Sequence, residues 1–212
     1  MHSGLLHHQA ADLRVADWID SAGTPLATPL RLADLGTGYR VIFCFQDWCP
    51  GCHSQGFPTL QVLHDNLARR GVGFAAIQTV FEGADVNTFD KLRINQEKYS
   101  LAIPFGHDLP APGQRNPTFM EDYRSGGTPW FTVIDPNDKV VYADFHFDPR
   151  YLIDALKEEP GDPRELGQLR QRAALSCALD LLGTGSTDGE ADGDRCPGPD
   201  TMARDPDAVS RW

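Results

Sequence analysis

The chain has 212 residues, of which 41% are apolar, and carries a formal net charge of −11. Its length suits one domain with extensions, and its apolar fraction is sufficient for a buried core. The acidic balance argues against a nucleic acid or an anionic membrane as a partner, since both require a basic surface, and without a run of 18 apolar residues no membrane-spanning helix is expected.

The N-terminal part of the chain is predicted to precede the central strand as an addition. Residues 1–11 look like a loose leader without the basic and apolar regions of a secretory signal. This favours a cytoplasmic protein, with an exported mature form as the alternative. Leu13 to Ile19 is predicted as a first strand, with Leu26 to Leu30 pairing back on it as a β-hairpin, and residues 32–35 as a short helical turn.

The middle of the chain alternates apolar strands with helical segments. Tyr39 to Phe45 is almost unbroken in its apolar character, which indicates a strand buried on both faces of a parallel or mixed sheet. A helix is predicted from Cys49 to about Arg70, with a kink at Pro58. Gly73 to Val80 is the next buried strand, and residues 85–88 offer caps for a second helix. This order predicts a βαβ unit.

The rest of the domain is predicted to hold a hairpin and a final helix. Residues 108–119 are rich in Pro and Gly and are predicted as a loop insertion. Strands at 130–135 and 139–145 flank a turn and predict a hairpin, and Pro149 to Glu158 predicts a helix. Residues 12–158 therefore predict one α/β domain with a central mixed β-sheet flanked by helices.

The composition changes at the C-terminal end of the chain. Residues 159–182 are compatible with a helical extension, and residues 183–212 are predicted to be a disordered acidic tail. The chain has five cysteines, an odd number that does not suggest a secreted disulfide framework. We interpret Cys177 and Cys196 as incidental tail thiols, with a second disulfide or electron transfer to another cysteine pair as alternatives.

The chemistry is concentrated in one pentapeptide, Trp48-Cys49-Pro50-Gly51-Cys52, at the predicted junction of strand and helix. Two thiols separated by two residues at such a junction are typical of a redox couple. Cys49 would lie at the helix N-terminus, where unpaired N–H groups and the helix dipole favour a thiolate, and Pro50 would take the first helical position. The motif therefore predicts Cys49 as the nucleophile and Cys52 as the thiol that resolves the mixed disulfide.

A second signature, Gly127-Thr128-Pro129-Trp130, precedes the predicted hairpin. Together with the Trp-Cys-x-x-Cys motif it resembles the thioredoxin superfamily, and the order of elements is similar to the TlpA-like and redoxin-type branch. The resemblance covers roughly residues 16–157 and implies a thioredoxin-like fold and thiol–disulfide oxidoreduction. It also implies that Pro129 is a cis proline facing the cysteines and that the backbone of Thr128 pairs with a bound substrate strand.

A substrate groove with aromatic walls is predicted beside the cysteines. Its residues are Trp48, Pro50, Gly51, Thr128, Pro129 and Trp130. Such a groove would bind an extended chain as an added strand, although core packing of Trp48 is an equal alternative. The expected partners are a disulfide-containing protein or small-thiol substrate and an external thiol reductant. No cofactor is expected, because the chain holds no nucleotide or flavin fingerprint, and no metal is expected, because no second C-x-x-C completes a zinc site.

Three other functions compete with disulfide reduction. A peroxiredoxin-like thiol peroxidase would need Pro and Thr where Ile42 and Gln46 stand, so the turn and hydroxyl that orient a peroxide are missing. A copper site would combine the cysteines with His107 or His146, but copper proteins of this fold carry three residues between the thiols. A non-catalytic redox-sensing binding module is the third alternative.

The residue after the second cysteine, His53, gives a formal C-x-x-C-H match to a haem attachment motif. A haem site would require the cysteines to open onto a haem cavity, whereas here they follow a buried strand. We interpret His53 as part of the thiol environment, one turn after Cys49, with a solvated histidine as the alternative.

The proton acceptor for Cys52 is left unassigned by the resemblance. Thioredoxins carry a buried Asp where this chain has Phe43, and many TlpA-like reductases carry a Glu where it has Gly56. The nearest candidates from the sequence are Gln46, Asp47 and Glu82.

Overall fold

A six-stranded sheet forms the centre of the computed structural model, which describes residues 4–158. Its strands are β1 (Asp17–Ile19), β2 (Arg40–Phe45), β3 (Gly73–Thr79), β4 (Phe105–Asp108), β5 (Trp130–Ile134) and β6 (Val140–Asp144). They lie in the order β1-β4-β3-β2-β5-β6. The predicted helical extension (159–182) and acidic tail (183–212) lie outside the described residues. Cys177 and Cys196 lie there as well.

The sheet is mixed, and β2 lies near its centre. It pairs in parallel with β3 and antiparallel with β5, while β3 also pairs in parallel with β4. All six residues of β2 are buried, as the unbroken apolar run predicted for a strand covered on both faces. The predicted fold class, a thioredoxin-like mixed sheet flanked by helices, is confirmed.

Four α-helices flank the sheet in the described part of the chain. They are α1 (Phe57–Leu67), α2 (Asp90–Lys98), α3 (Thr118–Tyr123) and α4 (Pro149–Glu158). Within residues 4–158, none of the helices is long and apolar enough to cross a membrane.

The predicted helix from Cys49 to Arg70 is built from several helical types. A π-helical turn at Cys52–Gly56 leads into α1, where the N–H of Phe57 donates to the carbonyl of Cys52. The irregular turn thus lies just before Pro58, which has no N–H to donate to the preceding turn. A 3-10 turn at Ala68–Arg70 then ends the helix.

Residues 4–10 are part of the domain, so the prediction of a loose leader is wrong for them. The N–H of His7 donates to the carbonyl of Val140 over 2.7 Å, and the N–H of Val140 donates to His8 over 3.0 Å. The N–H of Ala10 donates to Asp138 over 2.7 Å. The segment therefore covers β6 through backbone hydrogen bonds, which leave no side-chain pattern in the sequence.

The predicted N-terminal hairpin is much reduced. The first strand is only β1, Asp17–Ile19, and it pairs with β4. From the predicted second arm, the N–H of Leu26 donates to the carbonyl of Trp18 over 2.8 Å. Leu13 and Val15 are buried without being part of the strand, because they pack into the core cluster on one face of the sheet.

The segment predicted as a loop at 108–119 begins in a strand and ends in a helix. Asp108 closes β4 and is buried. Its carboxylate accepts hydrogen bonds from the N–H and hydroxyl of Thr118 and from the N–H of Phe119 at 2.7–2.9 Å. These bonds satisfy the first N–H groups of α3 and fix the connection.

The second helix starts later than predicted and without a side-chain cap. Phe89 is the residue before α2, and no side chain from residues 85–88 bonds its first N–H groups. Instead, residues 83–87 form a turn in which the N–H groups of Val86 and Asn87 donate to the carbonyl of Gly83 over 3.1 and 2.9 Å.

Candidate redox site

The two cysteines of the motif lie where β2 ends and the helical segment begins. The N–H of Cys49 donates to the carbonyl of Gln46 over 3.1 Å and closes the turn after β2. Cys49 is 8% exposed and Cys52 is wholly buried. Both are free thiols. The first thiol therefore lies nearer to solvent than the second.

The sulfur of Cys49 is surrounded by groups that favour a thiolate. The N–H of Cys52 donates to Cys49 Sγ over 3.3 Å. The pKa of Cys49 is lowered to about 6, and the largest cause is the hydrogen bond from the Cys52 thiol. Burial raises this pKa, but the N–H groups of Cys52 and Gly51 and the side chain of Thr128 lower it further. Cys49 is therefore mostly ionised at neutral pH.

The Cys52 thiol has the opposite electrostatic environment. Burial raises the pKa of Cys52 strongly, and the hydrogen bond to Cys49 and the negative charge there raise it further. The proton shared by the two sulfurs is thus held by Cys52. The pair combines an ionised outer thiol with a protonated inner thiol.

We expect alkylation of Cys49 by iodoacetamide to follow a titration with an apparent pKa of about 6. The rate should be nearly constant above pH 7 and fall about tenfold per pH unit well below the pKa, because only the thiolate reacts. The measurement is best made in a Cys177→Ser, Cys196→Ser background, where the remaining thiols other than Cys49 are buried. A profile that rises only near pH 9 would contradict the thiolate environment.

The second signature of the sequence lies against the first. The Thr128–Pro129 peptide bond is cis. The carbonyl oxygen of Thr128 lies 3.6 Å from Cys49 Sγ, and a Cβ at Gly51 would lie 3.4 Å from Pro129 Cδ. The structure therefore brings Thr128 and Pro129 to the cysteines from a loop almost 80 residues away.

Two solved structures resemble this chain over almost their whole length. One, described as a thioredoxin-like superfamily protein, is 29% identical with a TM-score of 0.62, covering 73% of this chain and 99% of its own. The other, a thiol-disulfide isomerase from Corynebacterium glutamicum, is 27% identical with a TM-score of 0.62, covering 74% of this chain and 97% of its own. The chain belongs to the thioredoxin superfamily.

The likeness to a more distant structure shows the fold alone. A thio-disulfide isomerase from Thermus thermophilus is 23% identical with a TM-score of 0.51, covering 76% of this chain and 99% of its own. No protein-family model matches the chain, and no curated protein does. Membership of the thioredoxin superfamily thus rests on the structural likeness.

The two tryptophans predicted for the substrate groove have different environments. Trp48 is 41% exposed and lies beside the cysteines, with Pro50 also exposed. Trp130 is 1% exposed and packs edge-to-face against Phe145 at 4.9 Å. Its prediction as a groove residue is wrong, because side chains alternate along β5 and Trp130 joins the core cluster on the face that carries Cys44.

The loop residue before the redox motif, Asp47, is held by four partners. Its N–H donates to Asn87 Oδ1, and its carboxylate accepts from Asn95 and Lys91, each over 2.8 Å. Its carbonyl bonds with Nε2 of His53. Burial opposes ionisation, but the bonds from Lys91 and Asn95 and the lysine charge keep the pKa of Asp47 below its usual value. Asp47 therefore anchors the loop and is a poor candidate for the proton acceptor.

The histidine after the motif joins this network. His53 Nδ1 bonds with the Tyr99 hydroxyl over 2.6 Å while Nε2 bonds with the carbonyl of Asp47. The ring also stacks on Phe57 with centroids 5.6 Å apart. Both ring nitrogens are thus bonded to groups other than the thiols, and the ring connects the helical segment to the loop before the motif.

We expect His53→Ala to lower the free energy of unfolding by about 1–3 kcal/mol, because the Asp47 carbonyl and the Tyr99 hydroxyl both lose their partner. Urea denaturation measures this loss. His53→Gln retains a side-chain N–H donor and should lose less. Of these two variants, only His53→Ala should also raise the pKa of Cys49 in the alkylation profile, because the loop that precedes Cys49 would no longer be held in place. His64→Ala, half-buried on α1, is the matched control, and an equal rise there would contradict the loop role.

The other histidines considered from the sequence lie apart from the thiols. His107 is buried and bonds with the carbonyl of Asn87 over 2.8 Å, and His146 is exposed. Among residues 4–158, no group of three or more His, Cys, Asp and Glu residues is arranged to hold a metal ion.

The ring of Phe43 lies against Gly56, four residues after Cys52. A Cβ at Gly56 would lie 2.6 Å from the ring of Phe43 and 3.2 Å from Pro129 Cβ. Gln46 is buried, with Nε2 donating to the carbonyl of Glu82 over 3.2 Å. The two positions at which the resemblance expects an acid are therefore occupied by Phe43 and Gly56, and a side chain at Gly56 would collide with the Phe43 ring.

Proposed function

We propose that the chain is a TlpA-like thiol–disulfide oxidoreductase that reduces disulfides with Cys49 as nucleophile and Cys52 as resolving thiol. A thioredoxin-like oxidoreductase activity is supported by the structural neighbours. The observation that carries the finer proposal is the asymmetry of the pair. Cys49 has a pKa of about 6 at the edge of the site, and Cys52 is buried and protonated.

The proposed reaction proceeds in two exchanges. The Cys49 thiolate attacks one sulfur of the substrate disulfide, the substrate S–S bond breaks, and the departing sulfur takes up a proton. Cys52 then loses its proton and attacks Cys49 Sγ, which releases the second substrate thiol and leaves a Cys49–Cys52 disulfide. Two electrons have passed to the substrate, so an external dithiol must return two electrons in a second pair of exchanges.

The surroundings of Cys49 favour a polypeptide substrate that lies along the Thr128–Pro129 edge. Gly127, Thr128 and Pro129 are half-buried, and the carbonyl oxygen of Thr128 lies 3.6 Å from Cys49 Sγ, which places a backbone group of this loop next to the reacting atom. An extended chain would bond there as an added strand. Trp48, Pro50 and Gly51 would form the other side of the groove.

The test is catalysed reduction of insulin by dithiothreitol, followed as precipitation of the released B chain. Wild-type protein should accelerate the reaction over dithiothreitol alone. Rapid consumption of peroxide without insulin reduction would instead point to a thiol peroxidase. Absence of both activities would point to the redox-sensing module.

A further inference from the structure

An exposed apolar surface lies directly beside the cysteines. Trp48 is 41% exposed and Val86 is 43% exposed. A Cβ at Gly83 would lie 3.2 Å from Trp48 Nε1 and 3.2 Å from Val86 Cγ2, so the glycine lies between the two side chains. We call Trp48, Gly83 and Val86 the Trp48 platform. The platform is continuous in sequence with Cys49 through Trp48.

The platform is fixed to the redox loop from below. The buried Asn87 accepts from the N–H of Asp47 over 2.8 Å and donates to the carbonyls of Glu82 and Gly83 over 3.1 and 3.0 Å. Gln46, also buried, donates to the same Glu82 carbonyl. A chain docked on the platform would therefore be held at a fixed position relative to Cys49, which reduces the entropy cost of binding.

The rim of the platform is acidic. Glu82, Asp85 and Asp90 are exposed, and the segment 81–90 contains no Lys or Arg. The next basic residue, Lys91, forms an ion pair with Asp47 over 2.8 Å. An exposed aromatic and a valine bordered by carboxylates complement a polypeptide that carries apolar and basic side chains.

We infer that the Trp48 platform selects polypeptide disulfides whose cysteine is flanked by apolar and basic residues. This inference rests on the proposed function, because the docked cysteine is the one that Cys49 attacks. The apolar side chain would cover Trp48 and Val86, and the basic side chain would lie toward Glu82 and Asp85. A small disulfide without flanking residues gains nothing from the platform.

The test measures how fast the full-length protein reduces three disulfides. Two are symmetric peptide disulfides, one with Leu and Lys beside the cysteine and one with Glu in place of Lys. The third is hydroxyethyl disulfide. We expect wild-type kcat/KM to be highest for the Leu-Lys peptide, with the advantage over the Glu peptide shrinking at high salt.

Two variants separate the apolar and the charged contributions. Val86→Ser should lower kcat/KM for the Leu-Lys peptide about five- to tenfold, because the apolar contact between the valine and the leucine of the peptide is lost. Glu82→Lys with Asp85→Lys should shift the preference toward the Glu peptide, by about threefold per charge. Both should leave the reduction of hydroxyethyl disulfide unchanged. Val62→Ser, an equally exposed valine on α1, is the matched control and should change none of the rates.

The outcomes distinguish a failure of the platform from a failure of the proposed function. Equal wild-type rates for the two peptides, or equal losses in Val86→Ser and Val62→Ser, would overturn the platform while leaving disulfide reduction by Cys49 intact. A loss in Val86→Ser that is as large for hydroxyethyl disulfide would also overturn it, because the valine would then serve only the structure of the site. A wild-type protein that reduces none of the three would overturn the proposed function and the platform together.

Discussion

Cys49→Ser should abolish the catalysed reduction of insulin, with a loss on the order of a thousandfold relative to the wild type. The thiolate is the attacking group, and at pH 7 a thiol with a pKa of about 6 is mostly ionised. A serine hydroxyl at the same position is not ionised at this pH and is therefore a much weaker nucleophile. The insulin assay with dithiothreitol measures the loss directly.

Two further variants show whether this loss is specific. Cys44→Ala is the matched control, because Cys44 lies between Phe43 and Phe45 in β2 and is wholly buried. Burial raises the pKa of Cys44, so its thiol is not ionised at pH 7. It should keep the activity. Cys52→Ser should accumulate a mixed disulfide with substrate, detectable by mass spectrometry. Retention of full activity in Cys49→Ser would refute the assignment of the nucleophile.

The parts of the fold that the sequence predicted correctly are those in which one local pattern has one physical cause. The unbroken apolar run of β2 reflects burial on both faces, and it lies between two other strands. The hairpin of β5 and β6 reflects two apolar runs around a turn of Pro136, Asn137 and Asp138. The position of Cys49 and Cys52 after β2 follows from the same reasoning.

The elements that the sequence did not predict depend on contacts between distant residues. Asp47 bonds with Asn87, Lys91 and Asn95, which lie more than 35 positions away, and no local spacing connects them. Trp130 is buried because of the face of β5 on which it lies. Its place next to Pro129 in the sequence had suggested an exposed side chain in the groove. Residues 4–10 bond to β6 through backbone groups that every residue has.

The resolving step should accelerate about tenfold per pH unit between pH 7 and 9. Cys52 must lose its proton to attack the mixed disulfide, and burial is the largest cause of its raised pKa. Since the raised pKa lies above this range, the thiolate fraction rises with pH throughout it. The ring of Phe43 fills the space against Gly56, so neither residue supplies a carboxylate that could accept the proton. With such an acceptor, the rate of the resolving step would not depend on pH in this range.

Single-turnover kinetics isolate this step from the first exchange. Reduced protein is mixed with a peptide disulfide, quenched in acid at intervals, and the mixed disulfide is quantified by mass. Its formation should change little above pH 7, because Cys49 is already ionised there, while its decay should become about a hundredfold faster from pH 7 to 9. Cys52→Ser should show formation without decay at every pH. A decay rate independent of pH would contradict this prediction, because it would mean that an internal group accepts the proton.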